Sequence, residues 1–145
     1  MLENAGRYTT AVETAEAALR QAAELTDPAL QARAEYTMGS ALEQVGEIER
    51  ARDHLREALW RGSAVGDDVL VADAGTELVW IDGLDAPDLE RALEWSRHVG
   101  AALARRPDVA RQARLANAWA RCTPARGSRA RPRNSSARAL ALNVN

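Results

Sequence analysis

The chain has 145 residues, 46% apolar and 28% charged, with a formal net charge of −2, a balance that suits one globular domain or a few repeated units. It has no lysine, no phenylalanine and one cysteine, which excludes Schiff-base catalysis, lysine-held phosphate and an internal disulfide. No apolar run nears the roughly 20 residues that cross a bilayer, and the N-terminal MLENAGRY lacks the charged-then-apolar order of an export signal. A cytoplasmic location with no membrane partner is the expectation, and the lone Cys122 fits a reducing compartment.

Helical periodicity runs along most of the chain. Over 8–25, Ala11, Val12, Ala15, Ala18, Leu19, Ala22 and Leu25 recur at one-, three- and four-residue steps, one face of an α-helix. Thr26-Asp27-Pro28 ends this helix and starts the next, with Asp27 as N-cap and Pro28 in the first turn. A second helix over 28–45 uses Leu30, Ala34, Met38, Ala41, Leu42 and Val45, and Gly46 closes it. A third over 47–62 uses Ile48, Ala51, Leu55, Ala58 and Leu59. Gly66-Asp67-Asp68 resets the chain for a fourth helix over 69–81, and the segment 81–87 turns it. A fifth helix spans 88–104, Arg106-Pro107-Asp108 is another reset, and a sixth begins at Val109. Its periodicity fades after Trp119.

The elements repeat. Tyr8-Thr9-Thr10-Ala11, Ile48-Glu49-Arg50-Ala51 and Leu89-Glu90-Arg91-Ala92 stand 40 to 41 residues apart, as do Ala32-Arg33-Ala34, Ala72-Asp73-Ala74 and Ala113-Arg114-Leu115. A period of this size signals stacked modules, which build a surface rather than an enclosed reaction centre. The fold class is therefore all-α, with helix pairs as the unit.

Charge divides the chain sharply. Residues 1–108 hold 11 Arg against all 21 acidic residues, a net charge of −10, whereas 109–145 hold 8 Arg and no acid. The last part, 122–145, is rich in Arg, Pro, Ser and Ala with no apolar face, a composition that predicts disorder. It lacks the aromatic platforms of a nucleic-acid binder, and no such role is assigned to it. The absence of lysine reads as a codon effect of a GC-rich genome. In such a genome, a frameshift from about residue 118 onward accounts for the change of composition.

Candidate chemistry is sparse. Asp82, Asp85 and Asp88 lack the alternating oxygen ligands and distal Glu of a calcium loop, so they read as turn and cap residues. Asp27, Asp67, Asp68 and Asp108 recur at equivalent starts and read as caps. His54 and His98 sit on different helices without a partner at catalytic spacing, and Cys122 carries no catalytic role. Trp60, Trp80 and Trp95 read as packing residues between units. No catalytic residue, cofactor or metal is expected, and the chain does not read as an enzyme.

A helix pair with small residues at fixed spacing resembles the tetratricopeptide repeat (TPR), here through Met38-Gly39 followed by Ala51, Leu55 and Ala58. The first unit keeps only its second helix, with Ala11, Ala15 and Ala18. The third has Leu78-Val79, then Ala92, Ser96 and Val99, while Glu35 and Gly75 stand where the family has an aromatic. The resemblance covers residues 1–121. It implies an antiparallel helix-hairpin solenoid of about two and a half repeats, cut inside a repeat at both ends, with self-association possible through the uncapped ends. Asp67–Ala72, Leu78–Gly83 and Ala92–His98 also look like the repeat region that follows the catalytic domain of large bacterial serine/threonine protein kinases, although no kinase motif is present. The resemblance thus implies a protein–protein interaction module, a scaffold or regulatory arm in signal transduction; a repeat sensor domain of a bacterial transcription regulator is the alternative. It also implies a groove lined by the first helix of each pair, where a protein or peptide docks. Its positions fall on Arg33, Tyr36, Ser40, Glu43 and Gln44, and on Asp73, Thr76 and Trp80.

Overall fold

The computed structural model describes residues 2–85 and 88–122. Six α-helices follow one another: α1 (Leu2–Leu25), α2 (Pro28–Gln44), α3 (Ile48–Ala64), α4 (Asp68–Trp80), α5 (Leu89–Arg105) and α6 (Val109–Cys122). There is no strand among the described residues. The expected helices are all present, and α1 begins six residues earlier than its apolar pattern suggests.

Four of the helix starts, those of α2, α4, α5 and α6, are set by aspartate. Asp27 accepts hydrogen bonds from the Ala29 and Leu30 amides (2.9 and 3.1 Å), with Pro28 in the first turn of α2. Asp67, Asp88 and Asp108 accept from the amides of Leu70, Arg91 and Arg111 at 3.1, 3.0 and 3.0 Å. Each cap satisfies an amide that the helix leaves open, a contribution of about 1 kcal/mol. Gly46 (φ +82°) and Gly66 (φ +72°) end α2 and α3 in the left-handed region, where a side chain would be strained.

Each helix packs on its chain neighbour, and the three-residue turn after α2 makes α2 and α3 an antiparallel pair. α4 also meets α6, and α2 meets α4, so the even-numbered helices form a second set of contacts. The core is aliphatic and small: Met38, Leu42, Leu55, Leu59, Leu78, Val79, Ile81, Val99 and Leu103 are fully or almost fully buried, with Ala32, Ala51, Ala58, Ala74, Ala92 and Ala102 between them. Small residues set the distance between helices. A Cβ on Gly39 would lie 2.7 Å from Leu55 Cγ and 3.2 Å from the Ala51 carbonyl oxygen, so Leu55 fills the space that glycine leaves. Gly75 does the same on α4, where a Cβ would collide with Val99 Cγ2 of α5. The close approach in this pair thus lies at Gly75, one turn before the Leu78-Val79 position that the repeat pattern marks.

After Trp80 the helix widens into one π-helical turn, Ile81–Asp85. Here the reading of Asp82 as a turn residue is corrected. Its side chain is 0% exposed and accepts from Arg52 Nε of α3 (2.8 Å) and Trp95 Nε1 of α5 (2.7 Å). Arg52 reaches outward to Glu49 at 2.6 Å, and its Nη2 is buried without a hydrogen-bond partner. A carboxylate at this depth is tenable because a cation and an indole N–H satisfy it. The π turn is what brings it there. Asp88 keeps its capping role.

α6 remains packed beyond the fading of its pattern. Ala118 is buried, Trp119 Nε1 donates to Ser96 Oγ at 2.6 Å, and the Cys122 thiol lies against Gly83 and donates to the Val79 carbonyl at 3.6 Å. The expected arginine-rich disordered tail lies, except for Cys122, outside the described residues. No described helix is long and apolar enough to cross a membrane.

Candidate functional site: a polar face on the even-numbered helices

α2, α4 and α6 present side chains to one another across a continuous face. Tyr36 on α2 donates its hydroxyl to Glu77 Oε1 on α4 at 2.6 Å, and Ser40 donates to Glu77 Oε2 at 3.0 Å. One turn earlier on the same face of α4, Asp73 takes a two-pronged contact from Arg111 (Nε to Oδ1 3.0 Å, Nη2 to Oδ2 3.1 Å) and a third bond from Arg114 Nη1 at 3.1 Å. Arg111 is itself steadied by Asp108 at 2.5 Å.

Two of these bonds join residues one sequence period apart. Tyr36–Glu77 and Asp73–Arg114 each span 41 positions. The register is compact: Arg33, Asp73 and Arg114 occupy one row, Tyr36, Thr76 and Asn117 the next, and Ser40, Trp80 and Arg121 the third. Spacings of three and four within a helix keep the rows on one face.

The rows enclose an open cleft of about 350 Å³ lined by Glu43, Thr76, Glu77, Trp80, Arg114, Asn117, Ala118 and Arg121. Trp80 forms its apolar part, with the Arg121 guanidinium over the ring, 5.1 Å from the centroid. Burial raises the Glu77 carboxyl above its usual range, while the Tyr36 and Ser40 hydroxyls and the Arg114 charge pull it back. The Tyr36 phenol is pushed well above its usual value, first by burial and then by the Glu77 charge. At neutral pH the phenol therefore keeps its proton and remains a donor. Asp108 is held below the usual carboxylate range by the Arg111 amide and guanidinium.

Of the eight residues assigned to a groove from sequence, Glu43, Thr76 and Trp80 line the cleft. Tyr36, Ser40 and Asp73 support it through Glu77 and Arg114. Thr76 is 93% buried and spends its hydroxyl on the Ala72 carbonyl, so it shapes the wall rather than offering a donor. Arg33 points to the start of α4 and pairs with Asp67 at 3.1 Å. Gln44 is exposed and outside the cleft. Glu77, Arg114, Asn117 and Arg121 also line the cleft and are not among the positions expected from sequence. Three of them lie one period after Asp73, Thr76 and Trp80, so extending the register onto α6 would have found them.

The remaining polar candidates lie elsewhere. His54 pairs with Glu35 at 2.7 Å across α2 and α3, a partner that sequence spacing did not reveal. Trp60, Trp95 and His98 cluster on α3 and α5, with ring centroids 6.0 Å apart for the two indoles and 5.0 Å for Trp60 and His98. No group of three or more His, Cys, Asp or Glu among the described residues could hold a metal ion. Burial pushes the Cys122 thiol up, which makes it a poor nucleophile. The cleft offers shape, hydrogen bonds and an aromatic face.

Comparison with protein-family models, with curated proteins and with solved structures finds no match.

Proposed function

We propose that the chain is a protein–protein interaction module, a TPR-like helical-hairpin solenoid that docks a peptide or protein segment on the face of α2, α4 and α6. The observation that carries this reading is the cleft between those helices, with Trp80 and two arginines beside two carboxylates. Tryptophan and arginine are enriched among the few residues that dominate binding energy at protein interfaces. The match between sequence period and cross-helix bonds supports a modular scaffold. A scaffold or regulatory role beside a bacterial serine/threonine kinase extends this proposal and rests on the three sequence segments that resemble such repeats.

Selection of a displayed random-peptide library on the immobilised full chain tests it. Enriched peptides should bind with dissociation constants at or below about 100 μM, and Trp80→Ala should abolish binding while helicity by circular dichroism is retained. Peptides that bind equally well to Trp80→Ala and Asn117→Ala, or a selection that enriches nothing, would refute the assignment of the face.

A further inference from the structure

We propose that the Trp80 end of the cleft is a receptor for an arginine side chain of the partner, and that Arg121 holds this place when no partner is bound. The inference rests on the interaction surface proposed above and specifies the chemistry that it selects.

The structure already holds a guanidinium at this position. Arg121 lies over the Trp80 ring at 5.1 Å, within the roughly 6 Å at which a cation is attracted to the face of an indole. The same cleft carries the carboxylates of Glu43 and Glu77. Both hydrogen bonds to Glu77 come from neutral hydroxyls, so its negative charge is not matched by a hydrogen-bonded cation. The other guanidinium on the wall, Arg114, acts on Glu77 through its charge but gives its hydrogen bond to Asp73. Arg121 is exposed and lies in the last turn of α6, where releasing one side chain disturbs no core contact. It is a displaceable occupant. The acidic residues lie within 1–108, where the net charge is −10, against +8 over 109–145, so the wall formed by α2 and α4 is the side that favours a cation. A planar guanidinium stacks on an indole and bonds carboxylates in a fork, which a lysine ammonium cannot do, so arginine is preferred over lysine.

The test uses the full-length chain with Arg121, Arg126, Arg129, Arg131, Arg133 and Arg138 all changed to Gln, which removes every guanidinium that the chain itself could present from α6's last turn onward. Four fluorescein-labelled alanine–serine peptides are titrated by anisotropy, alike except for two arginines, two lysines, two citrullines or two glutamates. The arginine peptide should bind about fivefold or more tightly than the lysine peptide, the factor expected for roughly 1 kcal/mol of guanidinium–indole contact. It should also bind the six-Gln chain more tightly than the wild type. Adding Trp80→Ala, or the shape-preserving Glu43→Gln should Trp80→Ala lose helicity, should remove the preference for arginine.

Equal binding of the arginine and lysine peptides, or a preference that survives both substitutions, overturns the proposal. Trp80-dependent binding of the glutamate peptide alone also overturns it but leaves the interaction surface standing. If none of the four peptides binds in a Trp80-dependent way, the arginine receptor falls, and the library selection decides separately whether the surface does.

Discussion

Glu77 and Asp82 lie less than two turns apart, and they show how depth changes what a carboxylate does. Asp82, carried inward by the π turn, is wholly buried and bonded to a guanidinium and an indole N–H. It ties α3 and α5 together through the segment that follows α4. Glu77 lies at the edge of an open cleft and is bonded to two neutral hydroxyls. One carboxylate is consumed by the architecture, while the other is held by neutral donors at the wall of a cleft.

Breaking each side of this contrast should give different magnitudes. Asp82→Ala takes from Arg52 its buried anion and leaves it only the exposed Glu49, and the loss should be about 3–5 kcal/mol in urea unfolding. Changing Arg52 and Asp82 together to apolar residues should recover most of that loss, since the pair removed as a whole leaves no charge unpaired. A double-mutant cycle that shows no coupling would dismiss the junction as a stabilising unit.

Gly75→Ala should come next. The new methyl collides with Val99 Cγ2, and overpacking of this kind costs about 1–3 kcal/mol. Val99→Ala in the same chain should relieve it, and a melting temperature unmoved by Gly75→Ala would contradict the close approach of α4 and α5. On the cleft side, Tyr36→Phe removes one donor to Glu77 and should cost about 1–2 kcal/mol by the same unfolding measurement.

The pH dependence separates Glu77 further. Its raised carboxyl means that the folded chain holds the proton more tightly than the unfolded chain. The resulting stability is fully present below the ordinary value of 4.5 and is lost as pH rises through the raised value. Unfolding of Glu77→Gln against the wild type, followed from acid to neutral pH, should therefore show the variant gaining relative stability as pH rises. A gap that stays constant with pH would contradict the raised carboxyl. The smallest effect belongs to the surface: exposed Arg105 bonds Asp68 at 2.6 Å, and Arg105→Ala should leave the melting midpoint unchanged within error.

The architecture was legible wherever local chemistry decides it. Asp27, Asp67 and Asp108 mark helix starts because a short side chain must reach an open amide two or three residues on, and that constraint is written in adjacent positions. The apolar face from Met38 to Leu42 and the Gly39–Leu55 contact follow from helical spacing in the same way. Asp82 was misread because Asp followed by Gly is also the chemistry of a turn, and its partner Arg52 lies 30 positions away on another helix. The π turn has no composition that distinguishes it from an α-helical end. In the cleft, Trp80 and Thr76 were found on the fourth helix, but Arg114, Asn117 and Arg121 were missed because the fading apolar pattern of α6 hid a polar register that continues to its last turn.

The seat of Cys122 against Gly83 gives the chain an internal clock. As the only thiol in the sequence, half-buried against Gly83 and raised by burial, it should react with a thiol reagent slowly while the end of α6 is seated and faster when that end lifts away. The rate of that labelling reads out, without any probe being added to the chain, how often the wall that carries Arg121 opens to solvent.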